Sequence, residues 1–231
     1  MDFWMESLIG KGVWRKLTPG RTVGTGKYLV DGTGGRMSSE LISCYTMPTD
    51  QISHLERVLY EQSAIRARVS EMGKSITSDY AGGSLSVITV LHGGILFMAD
   101  LVREINLPLH LDSISVASYH GGTESSGTVT FQQTTMPDVE GRDVLILDDI
   151  LDTGRTLAAI RKKLVSECNP RSVKSAVLLS KMIPRAVDVE ADYVGFEVGN
   201  EFVVGYGLDY GGEYRNLPMI GVLKPEYIQL G

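Results

Sequence analysis

The chain has 231 residues, a formal net charge of −6 and a hydrophobic fraction of 43%, with mean hydropathy +0.02 and a pI near 5.3. That is enough for one large domain, or one domain with an appendage, around a real core. The acidic balance argues against bulk binding to nucleic acid or anionic membranes.

Two cysteines, Cys44 and Cys168, make neither a metal spacing nor a disulfide framework, which fits a reducing compartment. No apolar run approaches the ~18 residues of a membrane span, and no signal-peptide core follows Met1. The expected location is cytoplasmic, with no membrane and no nucleic-acid partner.

Residues 1–46 are glycine-rich and carry six basic residues against four acidic ones, a charge of +2 that leaves −8 on the remainder. With little periodicity, they read as a loosely ordered extension. It is either a functional arm or leader, or a dispensable extension with the real start at Met37 or Met47, and the second reading is preferred. The stretch "GRTVGTGKY" (20–28) fails as a phosphate loop, with Arg21 where Gly is needed and Tyr28 where Ser or Thr is needed. Residues 47–231 form the expected domain.

Leu55, Val58, Leu59, Ile65, Val69, Met72 and Ile76 recur at spacings of three, four and seven, apart from one adjacent pair. They predict mostly helix over 52–79, with a short strand at 57–61 as the alternative. A buried strand at 84–91 leads into a glycine turn opening a helix over 92–105. Strands follow at 111–119 and 127–133, separated by a polar glycine loop at 120–127. After an apolar strand at 144–147, a helix places Leu157, Ile160, Leu164, Val165 and Cys168 on one face. Further strands are expected at 172–180, 192–198, 202–207 and 219–223. Strands alternating with helices, the central ones apolar throughout, predict an α/β domain with a mainly parallel sheet covered on both faces.

The stretch "VLILDDILDTGRT" (144–156) carries the chemistry. Apolar residues run into Asp148 and Asp149, then Asp152, then the small polar turn Thr153-Gly154-Arg155-Thr156. Ligands of open α/β sheets bind beyond the carboxyl ends of strands, and a helix N-terminus offers free N–H groups to phosphate. A monophosphate fits residues 153–156, while the acids suit ribose hydroxyls, Mg²⁺ or general-base work. A lone Asp here would as readily be a helix cap; three acids ahead of this turn favour function.

This stretch resembles the phosphoribosyl-diphosphate signature of type I purine phosphoribosyltransferases. Within that class the chain resembles the hypoxanthine (hypoxanthine-guanine) phosphoribosyltransferase family. The supporting stretches are "VLHGGILFMADLV" (90–102), "VASYHGGTESSGTV" (116–129), "LLSKMIPRAV" (178–187) and "DYVGFEVGNEFVVGYGLDYGGEYRNLP" (192–218). The resemblance implies the type I phosphoribosyltransferase fold, a mainly parallel sheet flanked by helices, with a small hood of C-terminal strands and a flexible lid loop. It implies attack of a 6-oxopurine on C1 of 5-phosphoribosyl-1-diphosphate with release of diphosphate, Mg²⁺ as cofactor, and a homodimer or homotetramer.

Residue by residue, the resemblance assigns proton handling beside purine N7 to Asp152, and ribose and Mg²⁺ contacts to Asp148 and Asp149. Thr153, Gly154, Arg155 and Thr156 become the 5′-phosphate loop. Lys181 matches the lysine on purine O6, Phe202 the stacking aromatic, and Val203 the residue whose backbone reads the exocyclic edge. Asp209 joins both the purine-binding and the metal sets, and Arg215 contacts diphosphate. His92 and Gly93 lie in the diphosphate loop, implying a cis Leu91–His92 peptide; many relatives have Lys in place of His92. Ser118 and Tyr119 open the lid. His54, His110 and His120 read as structural or solvated. Two alternatives remain: a xanthine- or guanine-preferring transferase, and a non-catalytic phosphoribosyl-diphosphate sensor that binds nucleic acid.

Overall fold

The structure, a computed structural model, describes residues 49–118 and 129–228. Five parallel strands make the central sheet: β2 (Leu85–Leu91), β3 (Leu109–Ser118), β5 (Asp143–Leu151), β6 (Ser172–Lys181) and β7 (Tyr193–Val198). Strand β4 (Val129–Phe131) adds antiparallel to β3, giving the order β4-β3-β2-β5-β6-β7. Helices α2 (Gln62–Asp79) and α3 (Gly94–Glu104) pack on one face, and α4 (Arg155–Cys168) on the other.

Strand β5 shows why its run Val144–Leu147 is apolar. Leu145 and Leu147 join the core built on α2 and α3, while Val144 and Ile146 join the core built on α4. Alternate side chains point to opposite faces, and both faces are covered, so no position is left for a polar residue until the strand's end. Helix α4 stops where Asn169 takes a left-handed φ of 47°, a common helix terminator.

A second sheet, in the order β1-β9-β8, is antiparallel. It consists of β1 (Leu55–Tyr60), β8 (Val203–Val204) and β9 (Ile220–Leu223). It packs its own core of Leu55, Val204, Tyr214, Leu217 and Leu223. The hood therefore draws one strand from the start of the domain and two from its end.

Several expected elements differ. The helix predicted over 52–79 is split into a short α1 (Thr49–Ser53), strand β1 and helix α2. Irregular register against β9, between Leu55 and Arg57 and between Val58 and Tyr60, breaks the period-2 pattern of β1, so its apolar spacing imitated a helix. The strand expected over 202–207 pairs only at Val203 and Val204. It then leaves the sheet through Gly205, Tyr206 and Gly207, all at positive φ. Strand β5 continues through Asp148 and Asp149 instead of ending before them. Val165, placed on the inner face of α4, is 59% exposed; at five residues from Ile160 it falls off the buried stripe.

Candidate active site

From β2 the chain crosses to β3 on one side, whereas β5, β6 and β7 line up on the other. The gap beyond the ends of β2 and β5 is therefore the topological switch point where open α/β sheets bind ligands. At the end of β2 the Leu91–His92 peptide is cis, as the family resemblance implied. His92 is exposed, and α3 begins two residues later. Gly93 lies so close to the end of β5 that an added Cβ would sit 1.7 Å from Asp149 Oδ2. Only glycine fits there.

Asp148 is 8% exposed. Its Oδ1 accepts the Asp149 N–H at 3.0 Å, and Asp149 Oδ1 accepts the Ile150 N–H at 2.8 Å. Burial pushes the Asp148 carboxyl well above the usual carboxylate range, and the charge of Asp149 pushes the same way. Burial also raises Asp149, with Arg215 among the influences pulling it back. Two adjacent acids in a low-dielectric setting resist joint ionisation unless positive charge arrives.

Beyond β5 the chain turns through Asp152, Thr153 and Gly154, the last at φ 78° as the N-cap of α4. Thr153 O accepts the Val187 N–H at 3.2 Å, which ties the turn to the segment after β6. The helical ladder begins with Ala158 N–H to Gly154 O at 3.0 Å, so the amides of residues 155–157 precede it. Lys181 closes β6 beside this turn, with Ser180 opposite Leu151. Its Nζ donates to Asp152 Oδ2 at 2.9 Å, with the Lys181 side chain 14% exposed and that of Asp152 41%.

The hood segment carries the remaining candidates and meets the loop after β2 where Gly207 abuts Gly93. Phe202 is 41% exposed and meets Tyr210 edge-on at 5.4 Å between ring centroids, while Val203 is buried and paired with Val222. Arg215 reaches Asp209 Oδ1 at 2.7 Å and Gly207 O at 2.6 Å. Asp209 Oδ2 also accepts the Gly212 N–H at 2.8 Å. The backbone of Ser118 ends β3 opposite Val129; its side chain, Tyr119 and the expected loop at 120–127 lie outside the described residues. A cavity of about 660 Å³ between residues 133–140 and the end of α4 contains none of these groups.

The phosphoribosyl transferase domain family matches residues 58–211. Hypoxanthine-guanine phosphoribosyltransferase of Streptococcus pneumoniae is 46% identical over 172 residues, spanning 74% of this chain and 95% of the relative. The chain belongs to the hypoxanthine-guanine phosphoribosyltransferase family. Its fold is likewise shared with solved members. The Staphylococcus aureus hypoxanthine phosphoribosyltransferase superposes with a TM-score of 0.75 at 43% identity, covering 80% of this chain and 100% of that one. The Bacillus anthracis hypoxanthine-guanine phosphoribosyltransferase gives 0.68 at 34% identity, covering 74% and 99%.

Within this phosphoribosyltransferase fold, some partnerships were invisible in the sequence. His54, read as structural or solvated, bonds through Nδ1 with the Tyr214 hydroxyl at 2.9 Å and stacks on Tyr227 at 3.9 Å. Arg185 donates to Ser180 Oγ at 2.8 Å, beside the strand end that carries Lys181. Tyr206 donates to Asp100. Each pair except Arg185–Ser180 joins residues more than a hundred positions apart, so no local motif signals it.

Proposed function

We propose that the chain catalyses purine salvage, moving the 5-phosphoribosyl group from 5-phosphoribosyl-1-diphosphate to hypoxanthine, and to guanine, to give IMP or GMP and diphosphate. The observation that carries the reading is the contact between Lys181 and Asp152 beside the turn 153–156. It sets a cation and a carboxylate side by side, the pair needed for O6 and N7 of a 6-oxopurine.

In this reading the N9–C1 bond forms as the bond from C1 to the diphosphate oxygen breaks, through an oxocarbenium-like transition state. Asp152 takes the proton from purine N7 as general base, while Lys181 donates to O6. Purine binding therefore exchanges the Lys181–Asp152 pair for one contact to each. Phe202 stacks on the base, and the Val203 backbone reads its exocyclic edge. The 5′-phosphate is held by the amides and hydroxyls of Thr153, Gly154, Arg155 and Thr156 at the start of α4. Arg215, with a planar fork of donors, binds diphosphate together with the His92 and Gly93 backbone. Ser118 and Tyr119 belong to a lid that excludes water.

Mg²⁺ fits this donor set. Among the described residues no three acidic, His or Cys side chains converge as a cage, and Mg²⁺ commonly takes only one or two carboxylates with substrate oxygens completing its shell. Asp148, buried, and its part-buried neighbour Asp149 would hold it on the ribose side and Asp209 on the diphosphate side. When bound it supplies charge stabilisation to the leaving diphosphate.

We also place the activity in the cytoplasm, in a homodimer or homotetramer, with residues 1–46 dispensable; among the described residues no helix is long and apolar enough to cross a membrane. The test is a spectrophotometric assay with hypoxanthine, guanine and xanthine in turn, each with phosphoribosyl diphosphate and Mg²⁺. Nucleotide and diphosphate should form with hypoxanthine and guanine. Turnover confined to xanthine would move the chain to another specificity, and no turnover with any of the three would overturn the reaction.

A further inference from the structure

In the proposed reading, on which this inference rests, the Gly93 loop and Arg215 take diphosphate, and Gly207 touches both. Tyr206 is 6% exposed, takes a φ of 49°, and donates its hydroxyl to Asp100 Oδ2 at 2.5 Å. A bulky aromatic residue in the left-handed region carries a conformational cost and persists only where its surroundings fix it. The Tyr206 N–H donates to Leu217 O at 2.8 Å. The next residue, Gly207, donates to Arg215 O at 2.9 Å and accepts Arg215 Nη1 at 2.6 Å. Gly207 also lies against the cis-peptide loop, where an added Cβ would sit 2.2 Å from Gly93 O. Asp100 stands on α3, the helix that begins at Gly94 and continues that loop, and its carboxylate also pairs with Arg103.

We propose that the Tyr206–Asp100 hydrogen bond is a latch that fixes Gly207 and Arg215 against the Gly93 loop, making Tyr206 and Asp100 positioning residues for diphosphate. Burial of the ring does not account for the hydroxyl, since phenylalanine would fill the same space. Burial first, and then the Asp100 carboxylate, pushes the hydroxyl far above the ordinary range for tyrosine, so it stays a donor even in alkaline solution. The purine side is held independently, through the pairing of Val203 and Val204 with Val222 and Gly221. Loss of the latch should therefore be felt at diphosphate and not at the base.

The test measures Mg-diphosphate binding by calorimetry, and the KM for hypoxanthine, in wild type, Tyr206→Phe, Asp100→Ala and Asp100→Asn. Tyr206→Phe and Asp100→Ala should each weaken diphosphate binding by about tenfold, the weight of one hydrogen bond to a charged group. Asn at position 100 retains an acceptor oxygen but not the charge, so that variant should fall between wild type and Asp100→Ala, while the KM for hypoxanthine stays within about twofold of wild type throughout. The double change Tyr206→Phe with Asp100→Ala should weaken binding no further than either alone. Wild-type diphosphate affinity in Tyr206→Phe, or equal losses for diphosphate and hypoxanthine, would overturn the latch. Because diphosphate binding is read without turnover, these results decide the latch whichever purine is the acceptor.

Discussion

Asp148 and Asp149 show, at the scale of single residues, how a functional site costs stability. A carboxyl whose folded pKa is raised favours the folded state only while protonated. Its contribution is present below the unfolded value of about 3.9 and is lost as pH rises through the folded one. Asp148 is raised by burial and by Asp149, so Asp148→Asn should melt higher than wild type at pH 7 without Mg²⁺. The difference should shrink toward zero as pH falls to about 4, while binding of Mg-phosphoribosyl diphosphate is lost. Melting curves across that range, with no gain at pH 7, would contradict the assignment of a strained acid pair.

These acids, Asp152 and the turn after them were legible because they sit within thirteen consecutive residues at a strand end. Tyr206, Asp100 and His54 were not, because their partners are brought in by the fold. The sequence around Tyr206 reads as a strand, and only the positive φ at 205–207 turns its hydroxyl to another purpose.

At the scale of elements, buried and exposed residues should respond by very different amounts. Ile146 is fully buried in the core facing α4, so Ile146→Ala should cost about 2–5 kcal/mol. Val165→Ala, on the exposed side of the same helix, should stay within about 0.5 kcal/mol; denaturant unfolding measures both. At the start of β5, Asp143 accepts from Arg171 Nε at 3.0 Å and Ser172 Oγ at 2.7 Å, tying β5 to the start of β6. The Arg171 hydrogen bond, chiefly, holds this carboxyl below its ordinary range. The sign is the reverse of Asp148: the stabilisation is present above about pH 3.9 and fades as pH falls through the folded value. Asp143→Asn should therefore melt below wild type at pH 7, with the gap closing in strong acid. A gap that persists there would assign the loss to packing.

The parallel strands were readable because burial on both faces leaves an unbroken apolar run. Strand β1, which overlaps the strand kept as the alternative at 57–61, was masked by the helix reading for the opposite reason. It pairs with β9, far along the chain, through two irregularities that blur its strand period. Hood strands of two and four residues, β8 and β9, are likewise too short for periodicity to define.

For the whole molecule, the sheet order decides where chemistry happens. The switch between β2 and β5 sets the cis-peptide loop against the acid pair, and β6 brings Lys181 to Asp152. The segment after β8 meets this region at Gly207, against Gly93, and through Arg215, whose charge reaches Asp149. The fold class was legible from alternating strands and helices; the union of the chain's early strand β1 with its last strands in one hood was not. The proposed division of the site into phosphate, metal, proton and base positions depends most on Asp152 acting on the purine. The most direct measurement is turnover of hypoxanthine with saturating Mg-phosphoribosyl diphosphate in wild type and Asp152→Asn. A fall in kcat of about 10²–10⁴-fold with a near-wild-type melting temperature is the predicted result, and an unchanged kcat would contradict it.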